Sequence, residues 1–197
     1  MGFLKLKILK ELFWSLGDSF GTYILRFGFS LLIARQLSPH DYGLMGMIII
    51  FLTIGNILFE GGFGMGLIQK GKPTVIDFSS VFYFNVFVSI IIYVILYFSS
   101  NIIAEFFNEP ILIDIIRISS ITIILAAFTS IQIVILNIEL DFKIQAIINA
   151  IATFISGIIG VFMAYNSYEV WALVFQLLIL YALKLVGFWI VSKWRPT

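Results

Sequence analysis

Residues 75–98 read VIDFSSVFYFNVFVSIIIYVILYF, and across these twenty-four positions Asp77 is the only charged side chain. A helix rising 1.5 Å per residue needs roughly 20 mostly apolar residues to cross a hydrocarbon core about 30 Å thick, and this run is long enough. Ile and Val are abundant in it. In lipid, however, every backbone polar group must find its partner inside the segment, so a run of this length is a helix. Two runs of the same kind precede it, at 12–34 and 39–59, and three follow, at 110–136, 142–165 and 168–191. The fold expected is an all-α membrane protein with six transmembrane helices. It forms one transmembrane unit over residues 1–197, with no soluble domain.

The composition points the same way. Of 197 residues 61% are hydrophobic and 12% charged, against about 45–50% and about 25% in a soluble domain. Twelve Lys and Arg against eleven Asp and Glu leave a net charge of +1, not the basic excess of a nucleic-acid binder. The absence of cysteine rules out disulfides and thiolate chemistry. His40, the single histidine, cannot build a histidine-rich metal centre, and no metal or cofactor is expected.

The breaks between runs carry helix-boundary chemistry. Ser38-Pro39-His40-Asp41 sets a capping hydroxyl before a proline at the first helical position. Gly61, Gly62, Gly64 and Gly66 close the second run, where they read as a hinge or as a tight packing point. Pro73-Thr74 opens the third run, and Asn108-Glu109-Pro110 separates the third from the fourth. Before that break, 101–108 (NIIAEFFN) is amphipathic and is expected to lie along the membrane interface.

Lys and Arg placement orients the chain. With the N-terminus inside, Lys5, Lys7, Lys10, Lys70, Lys72, Lys143, Lys193 and Arg195 are cytoplasmic, Arg35 is external, and Arg26, Arg117 and Lys184 fall within spans. Both termini are therefore expected in the cytoplasm. The basic 1–11 stretch reads as a cytoplasmic lead-in rather than a signal peptide, because the apolar run behind it is too long.

Charges retained at mid-membrane, at about 2.5–3.5 kcal/mol each on insertion scales, usually face a polar interior. In the first run Asp18, Thr22, Arg26 and Ser30 recur every four residues and share one helix face. This stripe predicts a cavity or bundle interior beside Arg26; a structural arginine bonded within the bundle is the plainer alternative. Weaker stripes hold Thr53, Asn56 and Glu60 on the second helix, and Asn85, Ser89, Tyr93 and Tyr97 on the third. Asp114 and Arg117 on the fourth are spaced to form a local ion pair, with Thr129 and Gln132 further along. Gln176 and Lys184 lie on the sixth, where Lys184 is placed to snorkel. On the fifth, Ala152, Ser156, Gly160 and Ala164 form a small-residue ridge suited to close helix packing, with Asn149 and Thr153 on a neighbouring face able to reach a cavity. No GxxxxGK[ST], HExxH or GxSxG sequence occurs, nor a paired-acid cluster of the kind that holds catalytic magnesium. An enzyme is not expected.

The stretch Ala34-Arg35-Gln36-Leu37-Ser38-Pro39-His40-Asp41-Tyr42-Gly43 resembles the ARxLSPxDYG signature of polysaccharide and O-antigen flippases, which belong to the multidrug/oligosaccharidyl-lipid/polysaccharide exporter superfamily. Glu60 to Lys70 (EGGFGMGLIQK) is similar to that family's end of the second helix. Phe106 to Pro110, Glu139 to Lys143, Trp171 to Leu173 and Trp194 to Pro196 follow in the family's order. The resemblance implies a carrier that moves undecaprenyl-diphosphate-linked oligosaccharide across the bilayer for lipopolysaccharide or O-antigen assembly. It implies two pseudo-symmetric lobes around a cationic cavity, of which this chain supplies one. A second lobe or a second copy would complete it, with membrane lipid and the lipid-linked oligosaccharide as its partners and no nucleic acid. On this reading Arg26, with Arg117 and Lys184, offsets the diphosphate charge. Asp18, Thr22, Asn56 and Gln132 supply partners or sugar contacts, and Gly61 to Gly66 permit helix movement. Two alternatives stand beside it: a lobe of a cation-coupled multidrug-type exporter, and a non-transporting membrane subunit of a glycan-assembly system.

Overall fold

The computed structural model describes residues 20–71 and 73–197, and these are helical with no strand among them. Eight helices follow in chain order. The described part of the first, α1, is Phe20–Ala34. Then come α2 (Pro39–Glu60), α3 (Phe63–Gln69), α4 (Val75–Phe107), α5 (Leu112–Ser119), α6 (Ile121–Glu139), α7 (Phe142–Tyr165) and α8 (Val170–Val191). Pro39–Gln69, Val75–Phe107, Leu112–Glu139, Phe142–Tyr165 and Val170–Val191 are each long and apolar enough to cross a membrane. This is a multi-pass membrane protein.

The helix starts are chemically specified. Ahead of α2, the Ser38 hydroxyl accepts from the Asp41 N–H at 3.3 Å while the Asp41 carboxylate accepts from the Ser38 N–H at 2.9 Å, a reciprocal capping box with Pro39 at the first helical position. Thr74 and Asp77 repeat the arrangement ahead of α4, at 3.3 and 2.7 Å. Between α2 and α3 the chain turns through Gly61 and Gly62 at φ +47° and +78°, a left-handed backbone that glycine adopts without penalty.

Two boundaries differ from the sequence expectation. The 101–108 stretch does not lie along the interface: α4 continues without a break to Phe107 and is capped by Asn108 at φ 56°. Its 33 residues span about 50 Å, well beyond the hydrocarbon core. The amphipathic composition of that stretch reflects a helix end leaving the apolar layer. The fourth run, in turn, is interrupted at Ser120, where Ile123 N–H bonds to the Ser120 carbonyl at 3.1 Å in a tighter turn between α5 and α6.

Helix α8 is the hub. It packs most extensively on α7 and also touches α2, α5 and α6, while α4 packs on α5 and α6. The main core joins Leu44, Ile48 and Phe59 of α2 to Ile92 and Leu96 of α4, Leu112 and Ile116 of α5, Ile123 of α6 and Val174 of α8. The small-residue ridge of α7 does pack: Ala152, Ser156 and Ala164 are buried, and Gly157 and Gly160 carry neighbours where a side chain would stand. Large apolar side chains such as Phe87, Ile95 and Phe98 of α4 point outward, as expected of a surface bathed in lipid. At one end of the bundle His40 Nε2 meets Glu109 Oε1 at 2.8 Å. At the other, the Thr197 N–H donates to the Ser79 hydroxyl at 3.1 Å and Lys70 meets Asp77 at 2.7 Å.

Candidate functional site

Residues 175–185 of α8 are half-buried without exception, so the hub helix leaves a long flank uncovered. A cavity of about 290 Å3 lies along it, walled by α1, α2, α7 and α8. Its polar lining is Arg26 and Ser30 from α1, Tyr42 from α2, Thr153 and Ser156 from α7 and Gln176 from α8. Met45, Ile49, Leu173 and Leu177 supply apolar wall between them. Among the described residues that line this space, Arg26 carries the one charge, and no carboxylate faces it.

Its position follows from helix geometry. Arg26 lies eight residues before Ala34, the end of α1, hence about 12 Å from it along the axis. The rotation of α1 that turns Arg26 to the cavity is set by Phe29, whose ring lies over Gly157 and meets Phe154 edge-on with centroids 5.9 Å apart. Ile33, fully buried with Ala164 and Ala172, holds the same helix one turn on. Tyr42 ties α2 to α1 through a long hydrogen bond from its hydroxyl to the Ser30 carbonyl, 3.4 Å.

Helical register extends the lining away from the capped end of α2. Thr22 lies one turn before Arg26. Asn56 and Glu60 continue the face of α2 that Tyr42, Met45 and Ile49 present to the cavity, and Lys184 continues the face of Gln176 and Leu180 on α8. Tyr181 of α8 stands within electrostatic reach of both Arg26 and Glu60, which brings the three helices to one groove. Asp18 lies outside the described residues.

The remaining sequence candidates are placed elsewhere. Gln132 is fully buried in α6, and with its amide turned to suit its surroundings it donates to the Phe128 and Thr129 carbonyls (2.9 and 3.1 Å) and accepts from the Trp189 indole N–H (3.1 Å). Its polar atoms are spent inside the bundle. Arg117 does not turn to Asp114, which is exposed. Its Nε donates to the Ser100 hydroxyl at 3.1 Å and its guanidinium lies 4.5 Å from the centre of the Tyr97 ring. Of the stripe on α4, Asn85 and Ser89 are buried, with Asn85 Nδ2 donating to the Ser130 hydroxyl at 3.1 Å and Ser89 to the Val86 carbonyl at 2.7 Å, while Tyr97 is exposed.

Of the four glycines after α2, Gly61 and Gly62 make the turn, Gly64 packs on Val134 and Gly66 faces open space. Gly62 and Gly64 also border a second cavity of about 350 Å3 between α2, α3, α4 and α6.

Tyr42 and Ser156 are lining residues that sequence reasoning did not select. Tyr42 sits inside the loop signature and Ser156 inside the packing ridge, so another explanation already covered each. Thr153, on the face of the fifth helix that the sequence allowed to reach a cavity, does line it.

A family model described as polysaccharide biosynthesis protein matches residues 32–197. The succinoglycan biosynthesis transport protein ExoT of Rhizobium meliloti (strain 1021) is 22% identical over 189 residues, covering 96% of this chain and 38% of its own length. The teichuronic acid biosynthesis protein TuaB of Bacillus subtilis (strain 168) is 26% identical over 146 residues, 73% of this chain and 30% of its own length. The lipopolysaccharide biosynthesis protein WzxC of Escherichia coli (strain K12) is 22% identical over 92 residues, 47% of this chain and 19% of its own length. The chain thus spans less than two fifths of the length of each of these relatives. No solved structure matches it.

Proposed function

The chain belongs to the polysaccharide biosynthesis protein family, and we propose that it is one lobe of a transporter that moves an undecaprenyl-diphosphate-linked oligosaccharide from the cytoplasmic to the outer leaflet. Relatives named for polysaccharide transport and biosynthesis support export rather than catalysis as the role. The observation that carries the reading is Arg26: a guanidinium about 12 Å inside the end of α1, lining a cavity whose other polar groups, among the described residues, are neutral. Arg26 is exposed on the open flank of the bundle, and a guanidinium there offers two parallel donors to a phosphate, a stronger and more directional contact than an ammonium gives.

Thr22, Asn56 and Lys184 extend a polar path toward the other end of the groove, and Asp18 belongs to the same register of α1. The turn at Gly61 and Gly62 lets α3 swing relative to α2 as the groove opens and closes. Gln132 and Arg117, engaged elsewhere, hold the bundle together. The open flank of α8 is the side that a second lobe or a second copy would cover. Lys70, Lys143, Lys193 and Arg195 gather at the end where Thr197 meets Ser79, and Arg35 lies at the end of His40 and Glu109. This distribution supports cytoplasmic termini in a bacterial cytoplasmic membrane.

The test is surface polysaccharide made by cells carrying Arg26→Ala. Export is lost while the amount of protein in the membrane is unchanged, and Arg26→Lys retains part of it. Normal export by Arg26→Ala removes Arg26 from the site and the reading with it.

A further inference from the structure

We propose that Thr153 and Gln176 form a neutral recognition wall in the cavity of Arg26, one that reads hydroxyl or acetamido groups of a sugar placed next to the bound anion. The inference rests on the reading of that cavity as a sugar-diphosphate site.

Thr153 points to it: of the three buried hydroxyls without a partner among the described residues, Ser119, Thr153 and Ser192, it is the one that lines this cavity. Serine and threonine in membrane helices usually satisfy their hydroxyls on a carbonyl one turn back. This chain does so at Ser80, Ser89, Ser100, Thr122, Thr129 and Ser130. Ser156, across the cavity wall from Gln176, does the same, donating to the Thr153 carbonyl at 3.2 Å. The Thr153 hydroxyl does not: the residue is 3% exposed and its Oγ1 has no hydrogen-bond partner. An unpaired buried hydroxyl is a standing cost, which a ligand group in the cavity it borders would relieve.

Gln176 stands on the adjoining helix, and its placement is enforced. Its Cβ, Cγ and Cδ lie 3.0–3.1 Å from where a Cβ on Gly160 would be, so the side chain runs flat across that glycine. The glycine in the ridge is the seat of the glutamine, and the pinned stem delivers an amide with two donors and one acceptor to the cavity. A hydroxyl and a primary amide on neighbouring helices suit vicinal hydroxyls or an acetamido group. They do not suit an acyl chain, and for a phosphate the charged Arg26 is the stronger partner. Selectivity follows from the same cost: a ligand without the sugar leaves both groups unpaired.

The full 197-residue chain in detergent is titrated with two probes, farnesyl diphosphate and farnesyl-diphospho-N-acetylglucosamine, with affinity read from thermal stabilisation. The sugar-bearing probe binds the unmodified protein more tightly. Thr153→Val, which keeps the side-chain shape, and Gln176→Leu each weaken that probe about tenfold and leave farnesyl diphosphate unchanged. Thr153→Ser restores the preference. Ligand-free stability does not fall in Thr153→Val, whereas a purely structural hydroxyl would show a loss there. Equal binding of the two probes by the unmodified protein, or a Thr153→Val and Gln176→Leu pair that spares the sugar-bearing probe or weakens both probes alike, overturns the inference and leaves the Arg26 reading standing. Arg26→Ala that leaves farnesyl diphosphate binding intact overturns the Arg26 reading, and failure of the unmodified protein to bind either probe overturns both.

Discussion

The Phe29 ring of α1 occupies the space over Gly157 of α7 that any side chain at that position would need. Phe29 lies three residues from Arg26, so this contact decides which way the guanidinium faces. Gly157→Val has no room without displacing the ring. Overpacking of this kind costs about 1–3 kcal/mol, and a lowered thermal midpoint in detergent is expected together with reduced export. Adding Phe29→Ala to Gly157→Val should recover part of the stability, a non-additivity that a double-mutant cycle measures.

Gln132 offers the opposite signature to Arg26. Its amide is enclosed and bonded to α6 carbonyls and to the Trp189 indole, so Gln132→Ala opens a void and strips internal hydrogen bonds. A stability loss of about 2–4 kcal/mol is expected. Export should fall only in proportion to the folded protein in the membrane, measured by quantifying both in the same cells.

At the far end of the bundle, Asp114 and Arg117 are predicted to be energetically uncoupled. Asp114→Asn should change stability by less than about 0.5 kcal/mol, as for an exposed side chain without a partner. Arg117→Met, which gives up the Tyr97 face and the Ser100 hydroxyl, should cost about 1 kcal/mol. The double variant should equal the sum of the two, read by thermal unfolding.

The capping box before α2 has a definite worth. Ser38→Ala removes the hydroxyl that the Asp41 N–H donates to and should destabilise the chain by about 1 kcal/mol, with Ser38→Gly costing less. Helix content by circular dichroism should stay nearly unchanged, because the loss is confined to one turn.

How much of this was legible in the sequence varies from element to element. The capping residues were, since Ser38 with Asp41 and Pro39 act through local hydrogen bonds that need no tertiary partner. The stripe holding Arg26 was legible too, because a charge so far inside an apolar run has few tolerable neighbours. The contacts of Arg117 were not legible, because spacing along one helix offers Asp114 and says nothing about Ser100 and Tyr97 on another. Those of Gln132 were not legible for a related reason: a buried amide bonded inside a bundle and an amide lining a cavity leave the same mark in the chain.

Hydropathy along the chain was sufficient to establish helices that cross a membrane, their approximate limits and the polar faces they carry. Lipid is as apolar as a protein core, so a helix buried against its neighbours and one facing acyl chains share the same composition on every side. Which faces meet was therefore decided by tertiary packing, through steric fits such as Phe29 on Gly157 and Gln176 on Gly160. Those fits put Arg26, Tyr42, Thr153 and Gln176 around one cavity, while the packing of α6 on α8 enclosed Gln132 beside Trp189.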